Sequence, residues 1–320
     1  MNTAPDASAL SPWKIERFHE NPIITPYMMG DPNENINNPT LVRVPDWVQG
    51  RLGRYYLYFA HHEGTYLRMA YADDLCGPWN IYAPGVLSIA DLPWNPDHVA
   101  SPDVVIDEEK KEFLLYFHTP VAPMIKSDHP DYYKTGLSIP QRTFLAVSDD
   151  GLHFKLDSNR ELAQFYLRVW RWKGYYYGLA RGAVPLYRST DGRSFEEIPG
   201  PFCENKEEFQ HIRHVAVMND GPLLTVFYTR LYDAPERIFM VRLNMTDDWK
   251  NWIIKDRPRL VLAPETGYEG ANLPVVPSTL GTTRGFENAL RDPYLYQENG
   301  RTYLLYCVVG ERGIAAAELR

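Results

Sequence analysis

Histidines, arginines and aspartates recur at matching places along these 320 residues, and they are the residue types that move protons and grip polar ligands. One set stands just before or within short apolar runs: Asn37-Asn38-Pro39, Ser101-Pro102-Asp103, Leu167-Arg168, Arg213-His214 and Arg291-Asp292-Pro293. A second set closes tyrosine-rich runs: His61, His62, His118, Arg181 and Arg230, with Glu311 just beyond the last run. Asp292 follows an arginine that could hold it ionised, which suits a base or a stabiliser of developing positive charge. His214 titrates near neutral pH and could serve as an acid. Arg168, Arg213 and Arg291 suit bidentate recognition of carboxylate or sulfate. Asn38, Asp103, His61, His62 and His118 complete a candidate ligand-binding set. Adjacent strand residues point to opposite faces, so His61 and His62 do not share one ion, and no metal ligand set is assigned.

These residues are placed by a repeat. The phrase Tyr55-Tyr56-Leu57-Tyr58-Phe59-Ala60 returns as Phe113-Leu114-Leu115-Tyr116-Phe117, Tyr175-Tyr176-Tyr177-Gly178-Leu179, Leu223-Leu224-Thr225-Val226-Phe227-Tyr228 and Thr302-Tyr303-Leu304-Leu305-Tyr306. Each copy has an apolar strand before it and another after it. Ser148-Asp149-Asp150-Gly151 and Ser189-Thr190-Asp191-Gly192 then mark hairpins, since Asp-Gly between strands favours a tight turn. Four antiparallel strands repeated radially make a β-propeller. The expectation is an all-β, single-domain, five-bladed β-propeller over 1–320. Its blades lie at about 37–90, 98–158, 165–200, 211–264 and 288–320 plus 12–25. The last repeat lacks a fourth strand, which Trp13-Lys14-Ile15-Glu16-Arg17 can supply, so the chain ends pair and close the ring. In a propeller the first strand of each blade lines the central channel and the second runs back to the same face. Both sets of polar residues therefore gather on one rim. Any one of them could be an ordinary solvated strand end, but the set is hard to explain that way.

Composition narrows the partners. The net charge of −8 argues against nucleic acid or an anionic membrane, and no apolar run is long enough to span a bilayer. Met1 to Leu10 carries no secretory pattern, and the three cysteines (Cys76, Cys203, Cys307) are far apart, so a cytoplasmic protein with reduced thiols is expected. Cys307 reads as core. Trp47, Trp94, Tyr66 and Tyr268 fall in loops and are candidates for stacking on sugar rings. Oligomeric state has no sequence signature.

The proline-marked strand starts and YYLYF-type second strands resemble those of glycoside hydrolase family 43 and its relative family 32. The resemblance covers nearly the whole chain, through short and degenerate motifs. It implies carboxylates meeting in the channel, an acid for the leaving oxygen and a second group that attacks or activates water. Met29-Gly30-Asp31-Pro32-Asn33 resembles the family 32 nucleophile motif, which makes Asp31 a candidate base. Arg291-Asp292-Pro293 resembles that family's "RDP". Asn38 stands where family 43 has its aspartate base, and Arg213-His214 stands where its acid is expected. The nearest glutamate phrase, Tyr268-Glu269-Gly270, makes Glu269 a candidate acid that burial beside Tyr268 would tune upward. The resemblance implies an exo-acting glycoside hydrolase on small oligosaccharides. It requires no cofactor and leaves room for a structural calcium ion. Two alternatives stay open: a lyase that removes a proton beside a uronate carboxylate with histidine, tyrosine and arginine, and a non-catalytic sugar-binding propeller, which Asn38 favours. Glu236, followed by Arg237, reads as a local structural pair.

Overall fold

Five sheets form in the order the repeat dictates. The computed structural model describes residues 12–121, 141–181, 185–203, 206–283 and 285–320. The N-terminal segment used for the secretory reading lies outside them. The inner strands are Asn37–Arg43, Ala100–Asp107, Arg168–Trp172, Ile212–Asp220 and Arg291–Glu298. Each pairs antiparallel with a tyrosine-rich second strand: Tyr55–Ala60, Glu112–Pro120, Tyr175–Leu179, Leu223–Arg230 and Arg301–Cys307. Third and fourth strands follow outward. In the last blade the outermost strand is Ile15–Arg17, which pairs with Ile314–Leu319 in the register Ile15 to Leu319 and Arg17 to Ala317. The chain ends close the ring as the repeat count requires.

The tyrosine-rich strands are apolar on both faces because each blade is sandwiched between two others. Along Tyr55–Ala60, Tyr56 and Tyr58 pack with Phe113, Leu115 and Phe117 of blade two. Tyr55, Leu57 and Phe59 turn the other way onto Leu305 and Cys307 of blade five. This is the two-residue alternation of a strand with both sides buried. Three more clusters fill the remaining gaps between blades. Neighbouring blades are also pinned by tyrosine hydroxyls: Tyr58 donates to the Gly151 carbonyl at 2.8 Å and Tyr116 to that of Gly192 at 2.9 Å. Both glycines have positive φ (75° and 71°) in their Asp-Gly turns. A Cβ on either would meet the tyrosine hydroxyl at 2.8 Å. Only glycine fits there.

One side chain joins the blades at the axis. Arg168, from blade three, donates to Pro39 O and Thr40 Oγ1 of blade one and to Pro102 O and the Asp103 carboxylate of blade two. It also donates to Val215 O of blade four and lies over the Tyr294 ring of blade five at 5.2 Å. Asp103 accepts in addition from the Val169 backbone N–H at 2.7 Å. Burial raises the Asp103 carboxyl, against the pull of Arg168 and the Val169 N–H. The pair closes the floor of the channel. Arg168→Ala leaves a buried carboxylate and several acceptors without a partner. It is expected to cost about 3–5 kcal/mol of unfolding free energy, measured by denaturant titration; a loss below about 1 kcal/mol would contradict this role.

Candidate active site in the central channel

Four of the inner strands begin with an irregularity in register: between Asn37 and Thr40, Ala100 and Asp103, Ile212 and Val215, and Arg291 and Tyr294. Such bulges re-aim a side chain. Asn38, Ser101 and Asp292 sit in three of them with φ of 53°, 53° and 48°, and Tyr166, just before the blade-three strand, has φ of 60°. Left-handed backbone at non-glycine residues is strained and concentrates at functional sites. The bulge in blade four carries His214. One residue per blade thus reaches the axis, and Asn38, Ser101, Tyr166 and His214 line a small pocket whose floor is Arg168.

Beside that pocket His214 Nδ1 is in direct contact with Asp292 Oδ1, and both side chains are buried. Neither His214 Nε2 nor Asp292 Oδ2 has a hydrogen-bond partner among the described residues. Burial acts to raise the Asp292 carboxyl, but His214 and Arg213 outweigh it and hold the group below its usual range. Burial lowers the His214 imidazole more than Asp292 raises it. At neutral pH the pair is a carboxylate beside a neutral imidazole. Asp292 accepts at Nδ1, and Nε2 is left as a basic nitrogen. Tyr166 packs edge-on against His214 with ring centroids 4.6 Å apart. Burial, Asp292 and Glu311 raise its hydroxyl pKa, so it stays protonated.

Charged side chains surround the pair. Arg291 is fully buried and donates to Glu236 (3.1 Å), Glu311 (3.1 Å), Glu287 (2.7 Å) and Thr283 Oγ1 (2.6 Å). Arg213 donates to Glu236 (3.0 Å) and to the Thr279 and Gly281 carbonyls. Glu311 also accepts from Asn35 Nδ2 at 2.6 Å and lies 3.4 Å from His62 Nδ1. Burial opposes its ionisation, but His62, Arg291 and Arg213 hold it well below the usual range.

The expected site residues therefore separate. His214, Asp292 and Asn38 meet at the pocket. His118 stands next to it, against Tyr166 at 4.8 Å, and His62 lies on the Glu311 side. His61 pairs with Glu34 at 3.2 Å on the rim. Arg168 and Asp103 are the channel floor, with every guanidinium nitrogen engaged inside the protein, so they are not free to grip a ligand. Arg213 and Arg291 are likewise spent on internal carboxylates and carbonyls. It is His214, not Arg291, that contacts Asp292.

Glu269 is corrected. It sits in a short 3-10 turn, where it accepts from Arg17 Nε, the Tyr306 hydroxyl and the backbone N–H groups of Glu265 and Thr266. Burial raises its carboxyl, but these donors overcome it and the group is lowered, the opposite of what a general acid needs. Glu269 anchors the closing N-terminal strand. Asp31 is also corrected: it is exposed and accepts from the Asn33 N–H at 2.8 Å, an ordinary turn aspartate. Glu236 pairs with Arg213 and Arg291, while Arg237 pairs with Asp233. Trp47 and Trp94 pack on Phe113 and Phe144, and Tyr268 accepts from Asn21, so none of these three stands free for stacking. Tyr166 and His98 were not among the expected site residues. Tyr166 was legible as the blade-three counterpart of Asn38, Ser101 and Asp292; His98 stands before a strand start and carries no such mark.

His98, His118 and His214 are buried, and burial lowers all three imidazoles, His118 the furthest because His98, His62 and His214 add to it. An unfolded histidine takes a proton near pH 6.5, so below that pH the unfolded chain binds more protons than the folded one. Stability is therefore full above about pH 6.5 and falls as the pH drops beneath it, by up to about 1.4 kcal/mol per pH unit for each such histidine. The melting temperature is expected to fall between pH 7 and pH 5, and less steeply in His118→Gln. A flat wild-type profile would contradict the burial of these rings.

No helix among the described residues is long and apolar enough to cross a membrane. Among them no cluster of three or more histidine, cysteine, aspartate or glutamate side chains is arranged to hold a metal ion. No protein-family model matches the chain. Its fold is similar to that of a Bombyx mori GH32 β-fructofuranosidase, with TM-score 0.59 and 12% identity over 97% of this chain, which spans 64% of that enzyme's length. It is similar also to a GH43 β-xylosidase/α-arabinofuranosidase from a compost microbial metagenome in complex with xylotriose (TM-score 0.59, 13% identity, 96% of both chains). A Xanthomonas citri GH43 enzyme complexed with xylotriose matches with TM-score 0.59 and 13% identity over 90% of this chain and 87% of that one. In sequence, an uncharacterized protein of Acanthamoeba polyphaga mimivirus is 34% identical over 334 aligned residues, covering 95% of this chain and 90% of that protein. The chain belongs to one family with that mimivirus protein, and its fold is the five-bladed propeller seen in the solved GH32 and GH43 structures.

Proposed function

We propose that this protein is a glycoside hydrolase that cleaves a terminal sugar from a small oligosaccharide at the channel pocket. The observation that carries the reading is the Asp292–His214 contact, with the buried Nε2 left without a hydrogen-bond partner and the ring packed on Tyr166. In this reading His214 Nε2 takes a proton from water as the water oxygen bonds to the anomeric carbon. Asp292 holds the Nδ1 proton and stabilises the imidazolium that forms. The glycosidic C–O bond breaks, and the leaving oxygen takes the Tyr166 hydroxyl proton, which the imidazolium then restores. Arg168 and Asp103 block the channel below, which favours a chain end over a threaded polymer. Asn38 and Ser101, joined by a 3.0 Å hydrogen bond, offer polar contacts for sugar hydroxyls. The sugars bound or cleaved by the similar solved enzymes make xylose- and arabinose-containing oligosaccharides a first panel.

A second reading has its own support. A neutral histidine and a protonated tyrosine, in place of two facing carboxylates, also suit β-elimination from a uronate, with His214 removing the proton and Tyr166 protonating the leaving oxygen. Purified protein incubated with a panel of aryl glycosides and oligosaccharides separates the two. A saturated sugar released from one end supports the hydrolase, and a product absorbing near the ultraviolet edge supports the lyase. Binding without product leaves a sugar-binding propeller and overturns both. In either enzyme, Asp292→Asn and His214→Ala are expected to lower kcat at least about 100-fold while sugar binding persists; full turnover in either variant would remove the pair from the mechanism.

A further inference from the structure

The surroundings of the pocket are electrically lopsided. Glu236, Glu287, Glu311 and Asp292 stand on the side of blades four and five, and Arg213, Arg291 and His214 partner them there. The opposite side, from blades two and three, carries no carboxylate against Tyr166 among the described residues. It presents Phe165, Tyr166, His118 and Arg181. Arg181 lies flat over the Phe165 ring, 4.8 Å from its centroid, and its backbone N–H donates to Phe165 O at 3.0 Å. That ties the guanidinium to the residue next to Tyr166, close enough to act on the Tyr166 hydroxyl electrostatically. Unlike Arg168, Arg213 and Arg291, Arg181 makes no ion pair with a carboxylate and no side-chain hydrogen bond among the described residues. It is only partly buried. A guanidinium pre-set on an aromatic face with its N–H fork unspent is the arrangement that reads a planar anion.

We propose that Arg181 forms an anion subsite, so that the sugar taken at this pocket carries a carboxylate or a sulfate. The inference rests on the reading of the channel pocket as a saccharide site and names its substrate class. A sugar seated at the pocket mouth, over the touching Tyr166 and His214 rings, would turn its acidic substituent toward Arg181 and its hydroxyls toward Asn38 and Ser101. The repulsion of the carboxylates on the far side would enforce that orientation.

The test is calorimetric binding of D-glucuronate, D-galacturonate, galactose 6-sulfate, D-glucose and D-galactose to the full-length protein, to Arg181→Gln and to Arg181→Lys, each checked for an unchanged melting temperature. The wild type is expected to bind at least one acidic sugar about tenfold or more tightly than its neutral counterpart. Arg181→Gln is expected to erase the difference, and Arg181→Lys to keep part of it. Preference for a uronate or for the sulfate identifies which anion the subsite reads. Equal binding of acidic and neutral sugars, or a preference that survives Arg181→Gln, overturns the anion subsite and leaves the saccharide site standing. Binding of none of the probes overturns both.

Discussion

The Arg168 guanidinium is the constraint on which the rest depends. A ring of blades has no core at its centre, only the ends and edges of inner strands, whose backbone groups must find partners without water. One planar cation with five N–H donors can reach acceptors on several sides at once. Here it takes acceptors from blades one, two and four, and meets an aromatic face from blade five. Asp103 supplies the countercharge at 3.0 Å. Because the hub is fully engaged, it fixes the spacing of the inner strands and so the positions from which the bulged residues reach the axis.

Charge above the hub is handled the same way. Arg213 and Arg291 are each shared among several acceptors, and with His62 they hold the buried Glu311 carboxyl ionised. Almost every polar atom near the axis is spoken for. Among the described residues the buried atoms without a hydrogen-bond partner include one imidazole nitrogen and one carboxylate oxygen of the contacting His214–Asp292 pair, with a protonated tyrosine beside them, and also His118 Nδ1 and Glu236 Oε1. A rigid surround that leaves one proton-transfer unit open is how a fold confines reactivity to one place.

Much of this could be read from the chain alone, for physical reasons. Strands buried on both faces show as unbroken tyrosine and leucine runs. Bulges at three inner-strand starts are marked by the residue before a proline. The missing fourth strand of the last repeat pointed to Trp13–Arg17 because an unpaired edge has to be covered. The fate of individual charges was not legible. An arginine looks the same in a sequence whether its acceptor is a ligand or a buried glutamate, so Arg168, Arg213 and Arg291 were read as ligand-binding. Glu269 looked like a free loop acid because its partner, Arg17, comes from the other end of the chain. Asp292 and His214 were each identifiable, but their contact needed the ring to bring two blades together.

The most direct test of this account is the protonation state and tautomer of His214, read by nitrogen-15 NMR of the histidine rings with His214→Gln to assign the signal. The account predicts a neutral ring at pH 7 with the proton on Nδ1 and a bare Nε2, and a loss of that tautomer preference in Asp292→Asn. A ring protonated at Nε2 at pH 7, whether neutral or charged, would contradict the claim that the channel pocket is built around an open basic nitrogen.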